Sequence, residues 1–155
     1  KKKALADIYR NNFTWYRNQT PPEYADGDSR AAQRERVVSS ASYLSEHMHE
    51  APWLLVPCLE GRPDGASAGV SAGFWGSLLP AVWSYMLALR SRGLGSAYTT
   101  LHLVGDGEKQ AAEILGIPFD TYSQGGLFPI AYTKGTDFRP AKRLPAEQIV
   151  HFDTW

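Results

Sequence analysis

Between positions 74 and 91 the sequence is apolar almost all the way round a helix, with Trp75, Leu78, Leu79, Val82, Trp83, Met86 and Leu87 spread over its faces. A surface helix needs a polar side, so this segment belongs in the middle of a domain or in a subunit interface. That requirement restricts the folds open to the chain, because neighbouring elements or a second subunit must cover the helix. Pro80 predicts a kink within its first turns, since proline lacks an N–H and crowds the preceding turn. The apolar stretches read as too short or too interrupted for a membrane span, and no secretory leader pattern is visible.

The flanking sequence supplies the cover. Residues 3–15 read as an amphipathic helix, with Leu5, Ile8, Tyr9 and Phe13 near helical spacing. No capping residue precedes them, so the chain opens inside a helical pattern, as a fragment of a longer protein does. A loop over 18–28 is marked by Pro21-Pro22 and Asp26-Gly27-Asp28. Ser29 is placed to cap a long helix reaching about position 49, with Val37, Tyr43, Leu44 and Met48 on or near its inner face. Residues 52–59 form a continuous apolar run framed by prolines, which predicts one strand covered on both faces. Residues 61–73 are small and read as a mobile linker close to a ligand.

Beyond the apolar helix, Gly93 and Gly95 serve to end it, and 96–100 predicts a short strand. Asp106 is placed to cap a helix over 107–115 that Gly116 and Pro118 terminate. Residues 127–132 read as another buried strand. The tail from Asp137 has two prolines and little periodicity, so it is expected to be extended and pinned to a neighbour. Helices alternating with short apolar strands predict an α+β (mixed α/β) arrangement, a sheet flanked by helices. With 155 residues the chain fits one domain over 1–155, and removes roughly 70% of its unfolded surface on folding.

Composition excludes several classes of function. Sixteen basic residues balance sixteen acidic ones, so the excess of positive charge that nucleic-acid binding requires is missing. The single cysteine, Cys58, excludes an internal disulfide and reads as a structural thiol in a reducing cytosol. His47 and His49 are two apart on a predicted helix and cannot share a metal, and His102 and His151 are remote in sequence. The segment Val104-Gly105-Asp106-Gly107-Glu108-Lys109 lacks the spacing and the Lys-Ser/Thr pair of a phosphate loop. No G-x-S-x-G is present, and no paired carboxylates sit at helical spacing in an apolar stretch. No catalytic residue is therefore assigned, and no metal.

Two constellations remain. Arg139, Lys142 and Arg143 lie within five residues, interleaved with Pro140 and Pro145, which hold the cationic heads close together. Such a cluster suits a phosphate monoester, and it equally suits a solvated basic patch. Tyr98, Thr99, Thr100 and Leu101, followed by His102, come at a predicted strand end after a glycine turn. Hydroxyls and backbone N–H groups there can meet the polar edge of a planar cofactor.

The order of segments R-G-L-G-S-A-Y-T-T-L-H, L-G-I-P, Q-G-G-L-F-P-I-A-Y-T-K-G and R-P-A-K-R-L-P-A-E-Q-I-V-H-F-D-T-W resembles the C-terminal part of the nitroreductase family. The H-M-H-E helix end, the strand A-P-W-L-L-V-P-C and the apolar helix before R-S-R-G-L-G-S stand in the same family order, so the resemblance covers essentially the whole chain. It implies an α+β homodimer with FMN at the subunit interface and a C-terminal arm exchanged with the partner. Residue by residue, it implies that Tyr98, Thr99, Thr100 and Leu101 lie against the flavin ring, one backbone N–H facing flavin N5. It implies that Arg143, with Lys142 or Arg139, meets the FMN phosphate. Residues 74–91 would be the central dimer helix, and 151–155 part of the arm. The family's Arg-rich R-S-x-R segment, its A-P-S/T-x-x-N turn and its first strand have no counterpart here, so the domain is expected to be N-terminally incomplete.

The implied activity is a ping-pong transfer of electrons from NAD(P)H, through FMN, to a nitroaromatic, a quinone or a similar acceptor, in the cytoplasm. Two other readings compete with it. One is a flavin-binding or flavin-less protein of the same fold with a sequestering or structural role. The other is a small interaction module whose basic tail binds an acidic partner.

Overall fold

The computed structural model describes residues 1–155 except Asp26, Gly27, Thr136, Ala141, Lys142 and the side chain of Ser29. In chain order the elements are α1 (Lys2–Arg17), α2 (Ser29–His47), β1 (Trp53–Leu55), β2 (Cys58–Glu60), α3 (Ala68–Arg90), β3 (Leu94–Ser96), α4 (Gly107–Leu115), β4 (Tyr122–Gln124) and β5 (Phe128–Tyr132). Short 3₁₀ turns stand at Met48–Glu50, Leu101–Leu103 and Ala146–Gln148. The mixed helix-and-sheet architecture is the one expected from the sequence.

Helix α1 centres the core. Its helical-period residues Leu5, Ile8, Tyr9 and Phe13 are buried, and they pack with Met48 after α2, Ala111 of α4 and Leu127 before β5. Each such side chain contributes about 1.5–3 kcal/mol by leaving water. Helix α2 is less regular than its sequence promises. Leu44 packs against the core and Met48 is buried, whereas Val37 and Tyr43 are exposed, because the apolar residues of α2 do not converge on one face. Its cap is Asp28 rather than Ser29, the carboxylate accepting the Arg30 N–H at 2.9 Å.

The run 52–59 is not one buried strand. Pro57 has no N–H to give a ladder, and the chain changes sheet around it. β1 pairs antiparallel with β5, while β2 pairs antiparallel with β4, giving one three-stranded sheet in the order β1-β5-β3 and a separate two-stranded one. The Pro57 carbonyl joins the two by accepting the Gly125 N–H at 2.8 Å. Nor is the run covered on both faces, since Trp53 is 61% exposed. β4 is a strand that the sequence pattern did not reveal.

The presumed linker 61–73 is partly helix, since α3 begins at Ala68. The helix runs unbroken through Pro80, and the Ser84 hydroxyl donates to the Pro80 carbonyl at 3.0 Å. Only Val82 and Leu89 of its 23 residues are fully buried. Trp83, Tyr85 and Leu87 stand exposed. Of the two positions open to an all-round apolar helix, the middle of the domain is therefore excluded for this single chain. By length and composition α3 is also apolar enough to cross a membrane, contrary to the sequence expectation, although core helices of water-soluble proteins meet the same criterion.

Strand β3 is shorter and earlier than the predicted 96–100, with Gly95 inside it and Gly93 at φ 74° after the helix end. Asp106 stands at the start of α4 but makes no capping bond with its side chain. The described residues of the tail are exposed, with Phe138 lying under the Arg90 guanidinium at 4.0 Å.

The turn Gly125-Gly126 joins β4 to β5. A Cβ on Gly126, at φ 143°, would stand 2.7 Å from the Tyr98 ring, 2.8 Å from the Phe128 ring and 3.1 Å from the Thr99 carbonyl oxygen. Gly126→Ala is expected to lower the unfolding free energy by about 1–3 kcal/mol, from backbone strain and displaced rings. Urea unfolding followed by far-UV circular dichroism measures this, and an unchanged midpoint would contradict the described packing.

Candidate functional site

After β3 the chain keeps company with β5 through one isolated bridge. Thr99 N–H donates to the Leu127 carbonyl at 3.3 Å, and Leu127 N–H donates back to the Thr99 carbonyl at 2.8 Å. The Thr99 hydroxyl adds a 2.6 Å bond to the same Leu127 oxygen. Tyr98 stacks on Phe128 with ring centroids 5.0 Å apart and planes 3° from parallel. The Leu101–Leu103 turn is tied to α1, since Asn12 Nδ2 donates to the carbonyls of Leu101 at 2.8 Å and Val104 at 3.2 Å.

These contacts hold Tyr98, Thr99, Thr100 and Leu101 as one surface segment, with Tyr98 and Thr100 exposed. The Thr99 N–H is already committed to Leu127. Among the described residues the N–H groups of Tyr98 and Thr100 have no protein acceptor. Both are donors free to meet a ligand edge.

Ala97, Tyr98 and Thr99 form one wall of a cleft of about 570 Å³. Helix α2 forms the other, with polar Gln33, Arg36 and Ser40 interleaved with Val37, Ala41 and Leu44, and Tyr9 also lines it. A second cavity of about 370 Å³ shares the walls Tyr43, Leu44 and Ala97 and extends towards Tyr132. Tyr43 stacks on His47 at 4.1 Å, and His47 pairs with Glu50 at 2.9 Å. The α2 wall is not legible in the sequence, because nothing in a helix of mixed polarity identifies which side faces a cleft.

Behind the segment lies a largely buried polar network. The Glu108 carboxylate accepts from Arg62 at 3.0 Å and from the Gln124 backbone N–H at 2.9 Å, and the Glu108 carbonyl accepts from the Gln124 side chain at 2.8 Å. Arg62 also bonds Asp64 and the Tyr122 carbonyl and lies over the Phe119 ring at 4.4 Å. The network fixes Gln124, and hence the Gly125-Gly126 turn under Tyr98. Arg62 and Glu108 are 46 residues apart, so sequence spacing offered no sign of their pairing.

His102 is fully buried, and its ring nitrogens have no hydrogen-bond partner among the described residues. Burial pushes its pKa down to about 4, with the adjacent Gln124 side chain opposing the shift only in part. It is a neutral core histidine, not a surface acid or base. Burial, followed by the Glu108 charge, likewise pushes the Cys58 thiol up, which makes it a poor nucleophile.

The two described members of the basic cluster are not at the cleft. Arg139 and Arg143 are exposed in the tail and do not line the cleft, while Lys142 lies outside the described residues.

A model of the nitroreductase family matches residues 14–132, more than half of the chain. The match includes the 98–101 segment and both walls of the cleft, and stops before Arg139. No curated protein matches the chain.

His102 gives the site a pH signature. The unfolded chain binds a proton on this residue below about pH 6.5, whereas the folded chain resists it down to about pH 4. Stability from this residue is therefore lost as pH falls from 6.5 to 4, by about 3 kcal/mol in total. Unfolding free energies across that range should decline less steeply in His102→Met. An equal decline in both proteins would contradict the assignment.

Proposed function

The chain belongs to the nitroreductase family, and from that premise we propose that it is an FMN-dependent oxidoreductase carrying electrons from NAD(P)H to a nitroaromatic, quinone or similar acceptor. The observation that carries this reading is the family match across a surface segment whose Tyr98 and Thr100 N–H groups lack protein acceptors beside an open cleft. When bound, FMN supplies the redox chemistry, accepting hydride from NAD(P)H and returning electrons to the acceptor in ping-pong order.

The residues of this chain have supporting tasks. Tyr98 and Thr100 hold the polar edge of the ring through their backbone N–H groups, which steadies negative charge there. Thr99 positions them through Leu127, and Leu101 packs behind. Arg143, with Lys142 or Arg139, reaches the phosphate, an anion suited to guanidinium and ammonium donors, from the tail rather than from the cleft wall. The donor set fits a flavin ring, and the chemistry needs no protein acid–base pair, in keeping with a neutral, buried His102.

The reading includes a homodimer. The exposed Trp83, Tyr85 and Leu87 of α3 support it, because an apolar helix surface of this kind needs cover. Phe152 and Trp155 in the tail are almost wholly exposed, which suits an arm that lies on a partner. The location in the reading is cytoplasmic, which suits the lone thiol of Cys58.

The test is direct. The purified chain is mixed with FMN, freed of excess by gel filtration, and its visible spectrum and NAD(P)H oxidation with an added quinone are recorded. Retained flavin absorbance in a dimer-sized peak is expected. Arg143→Gln should weaken FMN binding about tenfold while leaving riboflavin binding unchanged. A colourless protein at every FMN concentration would overturn the enzymatic reading and favour a flavin-less protein of the same fold.

A further inference from the structure

Four of the cavities among the described residues differ in charge. The cavity between α1 and α2 holds Arg10 and Arg17, but Arg10 is paired with Asp7 at 2.7 Å and Glu46 lines the same space. The cavity beside Tyr132 contains the paired His47 and Glu50. The one between α3 and the three-stranded sheet is apolar and aromatic, with Trp53, Tyr85 and Leu89. The 570 Å³ cleft alone among the four combines a cation with no acidic lining residue. That cation is Arg36, which makes no ion pair or hydrogen bond with the described residues.

We infer that this cleft binds a planar aromatic molecule bearing one anionic group, with Arg36 as the partner of the anion. Gln33 and Arg36 are three apart on α2, and Ser40 is four further on, so all three present polar groups along one face. Val37 and Ala41 place carbon between them, and the Tyr98 ring stands opposite with half its surface exposed. Apolar walls with a few convergent polar groups suit an aromatic body, and an unpaired guanidinium suits a carboxylate, sulfonate or phenolate. A molecule held there touches the segment assigned to the flavin, as an electron acceptor must. Its role as acceptor rests on the flavin reading, whereas its binding does not.

The experiment titrates the flavin-free protein with 2-naphthoate and with its neutral analogue 2-naphthamide, following naphthyl fluorescence. Naphthoate is expected to bind at least about tenfold tighter. Arg36→Gln should abolish that preference, and Arg36→Lys should retain part of it. Arg36 is exposed and glutamine is a good helix former, so the variant is expected to fold, which circular dichroism checks. Equal binding of the two ligands, no binding of either, or an unchanged preference in Arg36→Gln would overturn the inference. In a parallel arm, FMN and riboflavin are titrated into the same proteins. If Arg36→Gln weakens FMN alone and spares naphthoate, Arg36 serves the flavin phosphate and the inference fails. Naphthoate binding without flavin binding would uphold the inference while removing the flavin reading.

Discussion

Strand β5 is the element on which the remaining structure depends. It pairs with β1 on one side and β3 on the other, and its first residues and the preceding Leu127 are almost wholly buried. Because strand side chains alternate between faces, a one-residue slip would carry Phe128 and Ile130 out of the core. The same strand supports the surface segment, since Leu127 bonds Thr99 in both directions and Phe128 carries the Tyr98 ring. The geometry of the candidate site is thus inherited from the register of the core.

Electrostatics secures that register from behind. Breaking a largely buried pair such as Arg62–Glu108 strands a charge, so the pair resists rearrangement more than its net contribution to stability would imply. Through Gln124 it restrains the glycine turn on which Tyr98 rests. The exposed apolar surface of α3 has the opposite character. Nothing within the described chain satisfies it, and the same side chains that give α3 no polar face leave it open to a partner.

Much of the architecture was legible in the sequence, for reasons that differ by element. The 3.6-residue period of Leu5, Ile8, Tyr9 and Phe13 gave α1, and Gly116, at φ 81°, marks the end of α4. The family resemblance followed from an ordered set of segments rather than one motif, and the match over 14–132 bears it out. What misled was local composition. The small residues of 61–73 read as linker although six of them begin α3, and the apolar run 52–59 concealed the change of sheet at Pro57. The cleft was illegible because it arises where α2 meets the 97–99 segment, and no local pattern announces that Arg36 faces Tyr98. Nor did the spacing of Arg139 and Arg143 reveal that the tail carries both away from the cleft lining.

The central claim is that the 98–101 segment is where a flavin meets this chain. Amide hydrogen exchange, with and without FMN, tests it at the level of single N–H groups. The account predicts that the Tyr98 and Thr100 amides exchange rapidly alone and become protected with FMN, while the Thr99 amide, already bonded to Leu127, is slow in both states. Protection confined to other parts of the chain, or Tyr98 and Thr100 amides indifferent to saturating FMN, would contradict it.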